Sequence, residues 1–143
     1  MEHVILLAEG NAKDAEAALR SFARHGLANQ IHLAGDGQDV LDFLLSWTAT
    51  GKRDNCAPIL ILLDLALPLN GGLEILRTLR ADYRCRRIPI ALLTSSELDV
   101  SSVRKLNIDC LIEKPVTFNK LFWFATQMGV RLSLKPNSAQ RRE

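Results

Sequence analysis

The stretch ILILLDLALP, Ile59 to Pro68, decides how the rest of the chain is read. Five aliphatic residues in a row, Ile59 to Leu63, give the strongest strand signal in the sequence. A run with no polar alternation marks a strand covered on both faces, and therefore a central one. It ends in an acid, Asp64. Val4 to Ala8, upstream, is a second apolar run too short for a buried helix, and it too ends in an acid, Glu9, followed by Gly10. Between the two lie a helix from Ala12 to His25 with Ala15, Ala18, Leu19 and Phe22 at helical spacing, a brief strand from Gln30 to Ala34, a turn at Asp36 and Gly37, and a second helix carrying Val40, Leu41, Phe43 and Leu44. Asn11 is a suitable N-cap for the first helix and Gly26 a suitable stop. Gly51 to Ala57 reads as a polar loop.

Downstream of Pro68 the alternation continues. A third helix is expected over about Gly72 to Asp82, a fourth strand over Ile88 to Leu93 ending at Thr94, and a short fourth helix marked by Val100, Val103 and Leu106. Cys110 to Glu113 forms a fifth strand ending at Lys114 and Pro115, and Phe118, Leu121, Phe122 and Ala125 lie on a final amphipathic helix. Strand–helix alternation predicts an α/β fold, a doubly wound five-stranded parallel sheet with helices on both faces. Such sheets place their working crevice beyond the carboxyl ends of the strands. Those ends carry Glu9, Asp64, Thr94 and Lys114.

Composition narrows the function. The chain has 143 residues and a net charge of +2, which implies no strong pull toward nucleic acid or membrane. Three cysteines, Cys56, Cys85 and Cys110, stand far apart with no C-x-x-C spacing, so a zinc or redox motif has no support and a reducing, cytoplasmic setting fits. No apolar run approaches the roughly 20 residues that span a bilayer. No phosphate-loop or dinucleotide glycine motif occurs. Residues 131–143 read as a polar tail on a domain covering 1–130, with no output domain after it. Each strand-end residue alone could be a cap or a solvated loop side chain. Together they suit phosphoryl transfer to a carboxylate: an acid as nucleophile, with cations and donors around the transferred group.

With these residues in place, the sequence resembles the response-regulator receiver family, the fold of the chemotaxis receiver CheY. The resemblance rests on ILLAEGN (Ile5 to Asn11), ILILLDLALP, Gly72, IPIALLTSS (Ile88 to Ser96) and LIEKP (Leu111 to Pro115), and it covers about Val4 to Val130. DLALP with Gly72, the loop after Ala49 and ALLTSSELDV resemble the stand-alone receivers that partner phytochrome-type histidine kinases. The resemblance implies strand order 2-1-3-4-5. It implies Asp64 as phosphoacceptor, Thr94 as the switch hydroxyl, Lys114 as a phosphoryl contact and Pro115 behind a cis peptide bond. Mg2+ would be held by Glu9, Asp64 and the backbone carbonyl of Ala66. The protein would then be no enzyme in its own right, but a phosphoacceptor for a histidine kinase or phosphotransfer protein.

Two positions depart from the family. Gly10 stands where the family carries an Asp that is its more direct metal ligand, so Mg2+ binding is expected to be weak. Phosphorylation should then be slow or magnesium-hungry, and Gly10→Asp should tighten the site. One acid fewer should also lower the pKa of Asp64. Leu111 replaces an aromatic that rotates with the switch in the family. A degenerate receiver, signalling as a phosphorylation-independent binding module, is the competing reading. A dehalogenase-type phosphatase needs a second Asp two residues after the first, where this chain has Ala66. Phe118, Phe122, Trp123 and Phe124 cannot all face inward, so the last helix, with the fourth helix and fifth strand, is a candidate dimer or partner surface.

Overall fold

The computed structural model describes residues 4–49, 57–69, 71–95 and 105–136. The helix expected around Val100 and Val103, nearly all of the polar loop from Gly51, Cys56 and the tail beyond residue 136 lie outside them. Among the described residues the order is β1 (Val4–Ala8), α1 (Ala12–Arg24), β2 (Ile31–Ala34), α2 (Gly37–Ala49), β3 (Pro58–Asp64), α3 (Gly71–Ala81), β4 (Ile90–Thr94), β5 (Cys110–Glu113) and α4 (Phe118–Gln127). The five strands form one all-parallel sheet in the order β2-β1-β3-β4-β5.

The sheet divides the apolar residues by strict alternation, because successive strand side chains point to opposite faces. Ile5, Leu7, Leu60, Leu62, Ala91 and Leu93 pack on one side with Ala18 and Phe22 of α1 and Leu121, Phe124 and Ala125 of α4. Leu6, Ala8, Ile61, Leu63, Ile90 and Leu92 pack on the other with Val40 and Leu44 of α2 and Ile75, Leu76 and Leu79 of α3. The strands β1 and β4 are buried along their length and β3 at every residue but Ile59, as uninterrupted aliphatic runs demand. Of the four aromatics near the C-terminus, Phe118 and Phe124 are buried while Phe122 and Trp123 are exposed.

Boundaries shift where backbone donors run out. β4 begins at Ile90 rather than Ile88, since Pro89 has no N–H to give the ladder; only its carbonyl joins, accepting the Ile61 N–H at 2.9 Å. Gly72 is required by close approach: a Cβ there would lie 2.4 Å from the Asp64 carbonyl oxygen and 2.7 Å from the Leu65 Cα. Its absence lets α3 start against the end of β3. Part of the expected tail is held in place. Ala28 donates to the Ser133 carbonyl, Ser133 to Asn29 Oδ1 and Lys135 to the Gly26 carbonyl, each at 2.7 Å, around an antiparallel bridge between Leu27 and Leu134.

Candidate functional site

Parallel register brings the strand ends together. Ala8 pairs with Leu63, so Glu9 and Asp64 emerge side by side. Asp64 pairs with Leu93 and Thr94 with Glu113, which leaves Lys114 as the next residue out. The Lys114 N–H donates to the Thr94 carbonyl at 2.7 Å, extending the ladder to the lysine, and the Lys114–Pro115 peptide is cis. Glu9, Asp64 and Thr94 are all buried.

The Lys114 Nζ lies 2.9 Å from the Glu9 carboxyl, 3.1 Å from Asp14 Oδ2 and 3.2 Å from Asp64 Oδ2. Asp64 Oδ1 accepts the Ala66 N–H at 3.0 Å. The Asn11 N–H donates to Glu9 Oε2 at 3.1 Å, while the Asn11 side chain caps α1 by accepting the N–H groups of Lys13 and Asp14. That cap aims the first turn of α1 at the pocket and brings Asp14 to the lysine. Sequence reasoning placed Glu9, Asp64, Thr94 and Lys114 here but missed Asp14. A signal existed: in a β–α unit the helix N-terminus sits at the carboxyl edge of the sheet, so a first-turn acid is delivered to the crevice.

The charges sort themselves by environment. Burial, then the hydrogen bond to Asp64, pushes the Glu9 carboxyl up to about 7. Burial also pushes Asp64 up, but the hydrogen bond from Glu9, the Ala66 N–H and Lys114 together outweigh it and hold Asp64 below its ordinary value. Lys114 is held above its ordinary value: burial opposes its charge, and the hydrogen bonds to Glu9, Asp14 and Asp64 more than offset that. The pocket therefore presents an ionised, desolvated Asp64 beside a fixed ammonium, with Glu9 able to carry a proton. Leu111 is half-buried against the α2–α3 side of the core.

Of the ligands expected for a divalent ion, Glu9 and Asp64 stand side by side at the strand ends, and Gly10 adds no side chain to them. A Cβ on Gly10 would lie 2.3 Å from Pro68 Cδ and 2.9 Å from Pro68 Cγ, whereas carbon atoms rest about 3.5–4.0 Å apart. Pro68 is seated where a side chain at position 10 would leave the backbone. Glu9 and Asp64 are both already engaged by Lys114. Among the described residues no group of three His, Cys, Asp or Glu side chains is arranged to hold a metal ion.

No family model matches the chain. Individual proteins do. The probable methanogenesis regulatory protein FilR2 of Methanothrix harundinacea (strain 6Ac) is 33% identical over 120 residues, covering 82% of this chain and 76% of that protein. Response regulator Rcp1 of Synechocystis sp. (strain PCC 6803) is 31% identical over 122 residues, covering 83% and 81%. The Mn2+-bound structure of Rcp1 superposes with a TM-score of 0.66 at 26% identity, covering 94% of this chain and 99% of that one. The bacteriophytochrome response regulator AtBRR superposes with a TM-score of 0.82 at 35% identity, covering 96% and 99%.

Proposed function

The chain belongs to the response-regulator family and folds as its receiver domain, and on that premise we propose that it accepts a phosphoryl group on Asp64. The observation that carries this reading is the pairing of an ionised, buried Asp64 with Lys114 at 3.2 Å. An Asp64 carboxylate oxygen attacks the phosphorus of a phosphohistidine; the O–P bond forms, the P–N bond breaks, and its electron pair stays on the imidazole nitrogen. Lys114 offsets the charge gathered on the transferred group. Thr94, at the end of the neighbouring strand, donates its hydroxyl to that group once it has arrived. The group comes from a histidine kinase or a phosphotransfer protein, and the likeness to the bacteriophytochrome response regulator AtBRR supports a phytochrome-type kinase. The chain acts as acceptor and signalling module in the cytoplasm, not as an enzyme with a separate substrate. Among the described residues no helix is long and apolar enough to cross a membrane.

Output runs through protein contact on the face of β5 and α4. Trp123 is 55% exposed there and, with Leu111, Glu113 and Lys120, lines a cavity of about 420 Å³. Homodimerisation through this face is checked by sedimentation of Trp123→Ala; an unchanged association state removes it. The phosphoacceptor reading is checked by intact mass after incubation with phosphoramidate, beside Asp64→Asn. One added phosphoryl group, lost in the variant, is expected. No adduct on folded protein would instead favour a binding module that works without phosphorylation, the reading that Gly10 and Leu111 favour. Partner binding insensitive to Asp64→Asn would point the same way.

A further inference from the structure

We propose that Asp14 is a positioning residue for the phosphoryl contact: it holds one N–H of the Lys114 ammonium at rest and gives it up to an oxygen of the incoming phosphoryl group. The proposal rests on the phosphoacceptor reading of Asp64 and adds to it a residue from the first turn of α1.

Three observations carry it. The first is the valence of the ammonium. A lysine has three N–H donors and no acceptor. Three carboxylates surround the Lys114 Nζ, Glu9 at 2.9 Å, Asp14 at 3.1 Å and Asp64 at 3.2 Å. Every donor is taken, so a phosphoryl oxygen gains one only when a carboxylate lets go. The second is burial. The side chains of Glu9 and Asp64 are 2% and 4% exposed, whereas that of Asp14 is 42% exposed. A buried carboxylate that loses its partner has no water to replace it, while Asp14 is rehydrated as it is released. The bond to Asp14 is therefore the cheapest of the three to break. The third is placement. Asn11 accepts the Asp14 N–H at 3.0 Å and donates its own N–H to Glu9 Oε2 at 3.1 Å. The first turn of α1 is thereby tied to a buried acid of the pocket, and Asp14 is held where it reaches the ammonium.

Holding the ammonium has a kinetic consequence. At rest Asp14 competes for the donor that the phosphoryl group needs, and its charge repels an anionic phosphodonor. Asp14→Asn leaves a neutral, weaker acceptor in its place and should speed the transfer. The test is the rate of phosphorylation of the full chain by phosphoramidate at one magnesium concentration, read by intact mass. In that reaction an Asp64 carboxylate oxygen forms the O–P bond as the P–N bond breaks, and the nitrogen leaves with the electron pair as ammonia. Asp14→Asn should react about threefold faster than wild type at low salt, the order that loss of one exposed ion pair allows. The gain should shrink in 0.5 M sodium chloride as screening sets in.

Glu16→Gln is the control. It removes the same charge from the same helix, and Glu16 pairs with Arg20 rather than with Lys114. Its rate should stay at that of wild type. A rate for Asp14→Asn equal to or below wild type overturns the proposal. So does a gain that Glu16→Gln matches, or one that persists undiminished in salt. An adduct on none of the three folded proteins removes the phosphoacceptor reading itself, and the hand-over falls with it; an adduct that forms at one rate on all three overturns the hand-over alone.

Discussion

The two rims of the carboxylate pocket solve different problems. At the end of β1 an acid is missing, and carbon fills its place: Pro68 lies against Gly10. At the end of β5 one ammonium serves three carboxylates, drawn from β1, the first turn of α1 and β3. The first rim is a matter of shape and the second of charge. Changes to the charges around Lys114 should answer to pH and salt, while changes in the Gly10–Pro68 contact should not.

The largest effect expected is that of Lys114→Met. It leaves buried Glu9 and Asp64 facing each other without a cation, and removing one partner of a buried pair costs about 3–5 kcal/mol. Urea unfolding at neutral pH measures this. A loss below about 1 kcal/mol, the worth of a surface pair, would show that the ammonium does not neutralise the pocket.

Next is the pH dependence from Glu9. Its carboxyl rises from 4.5 to about 7 on folding, so the folded chain holds that proton more tightly than the unfolded one. The resulting stability is fully present below about pH 4.5 and is lost as pH rises through about 7, a span of about 3 kcal/mol at roughly 1.4 kcal/mol per unit. The depressed Asp64 acts in the opposite sense but only below its ordinary value of 3.8, so the two windows do not overlap. Glu9→Gln should flatten the slope between pH 5 and 8 in a denaturation series. A slope that survives the substitution assigns it elsewhere.

Gly10→Ala comes third. Inserting a methyl against a fixed ring costs about 1–3 kcal/mol. The loss should be the same at pH 5 and pH 8 and indifferent to salt, which is the sharpest contrast with the other rim. Asp14→Asn is expected to be smallest, below about 1 kcal/mol, because Asp14 is 42% exposed. What effect it has should fade between low salt and 0.5 M sodium chloride as screening sets in.

Much of this was legible in the sequence. The aliphatic runs at Val4–Ala8 and Ile59–Leu63 announce buried strands, and the residues that end them fix where the pocket lies. What stayed hidden shares one property. Asp14 meets Lys114 across 100 positions, and Pro68 meets Gly10 across the gap between β1 and the turn after β3. Local pattern carries no record of such contacts, so Asp14 read as an ordinary acid in a first helical turn. Gly10 read as an absence, when it is the half of a packed pair that has no side chain to show. Exposure of Phe122 and Trp123 was foreseeable because a helix face cannot bury four neighbouring aromatics at once.

The antiparallel clasp between residues 26–29 and 133–135 has a kinetic meaning. It joins the start of the chain to a segment some hundred residues later, a separation that raises contact order and defers its formation to late in folding. Once made, it closes a ring that includes β2, β3, β4 and β5. The amides of Ala28, Ser133 and Lys135 are then shut in hydrogen bonds, and their hydrogen exchange reports when that ring opens, well away from the pocket and independently of its charge.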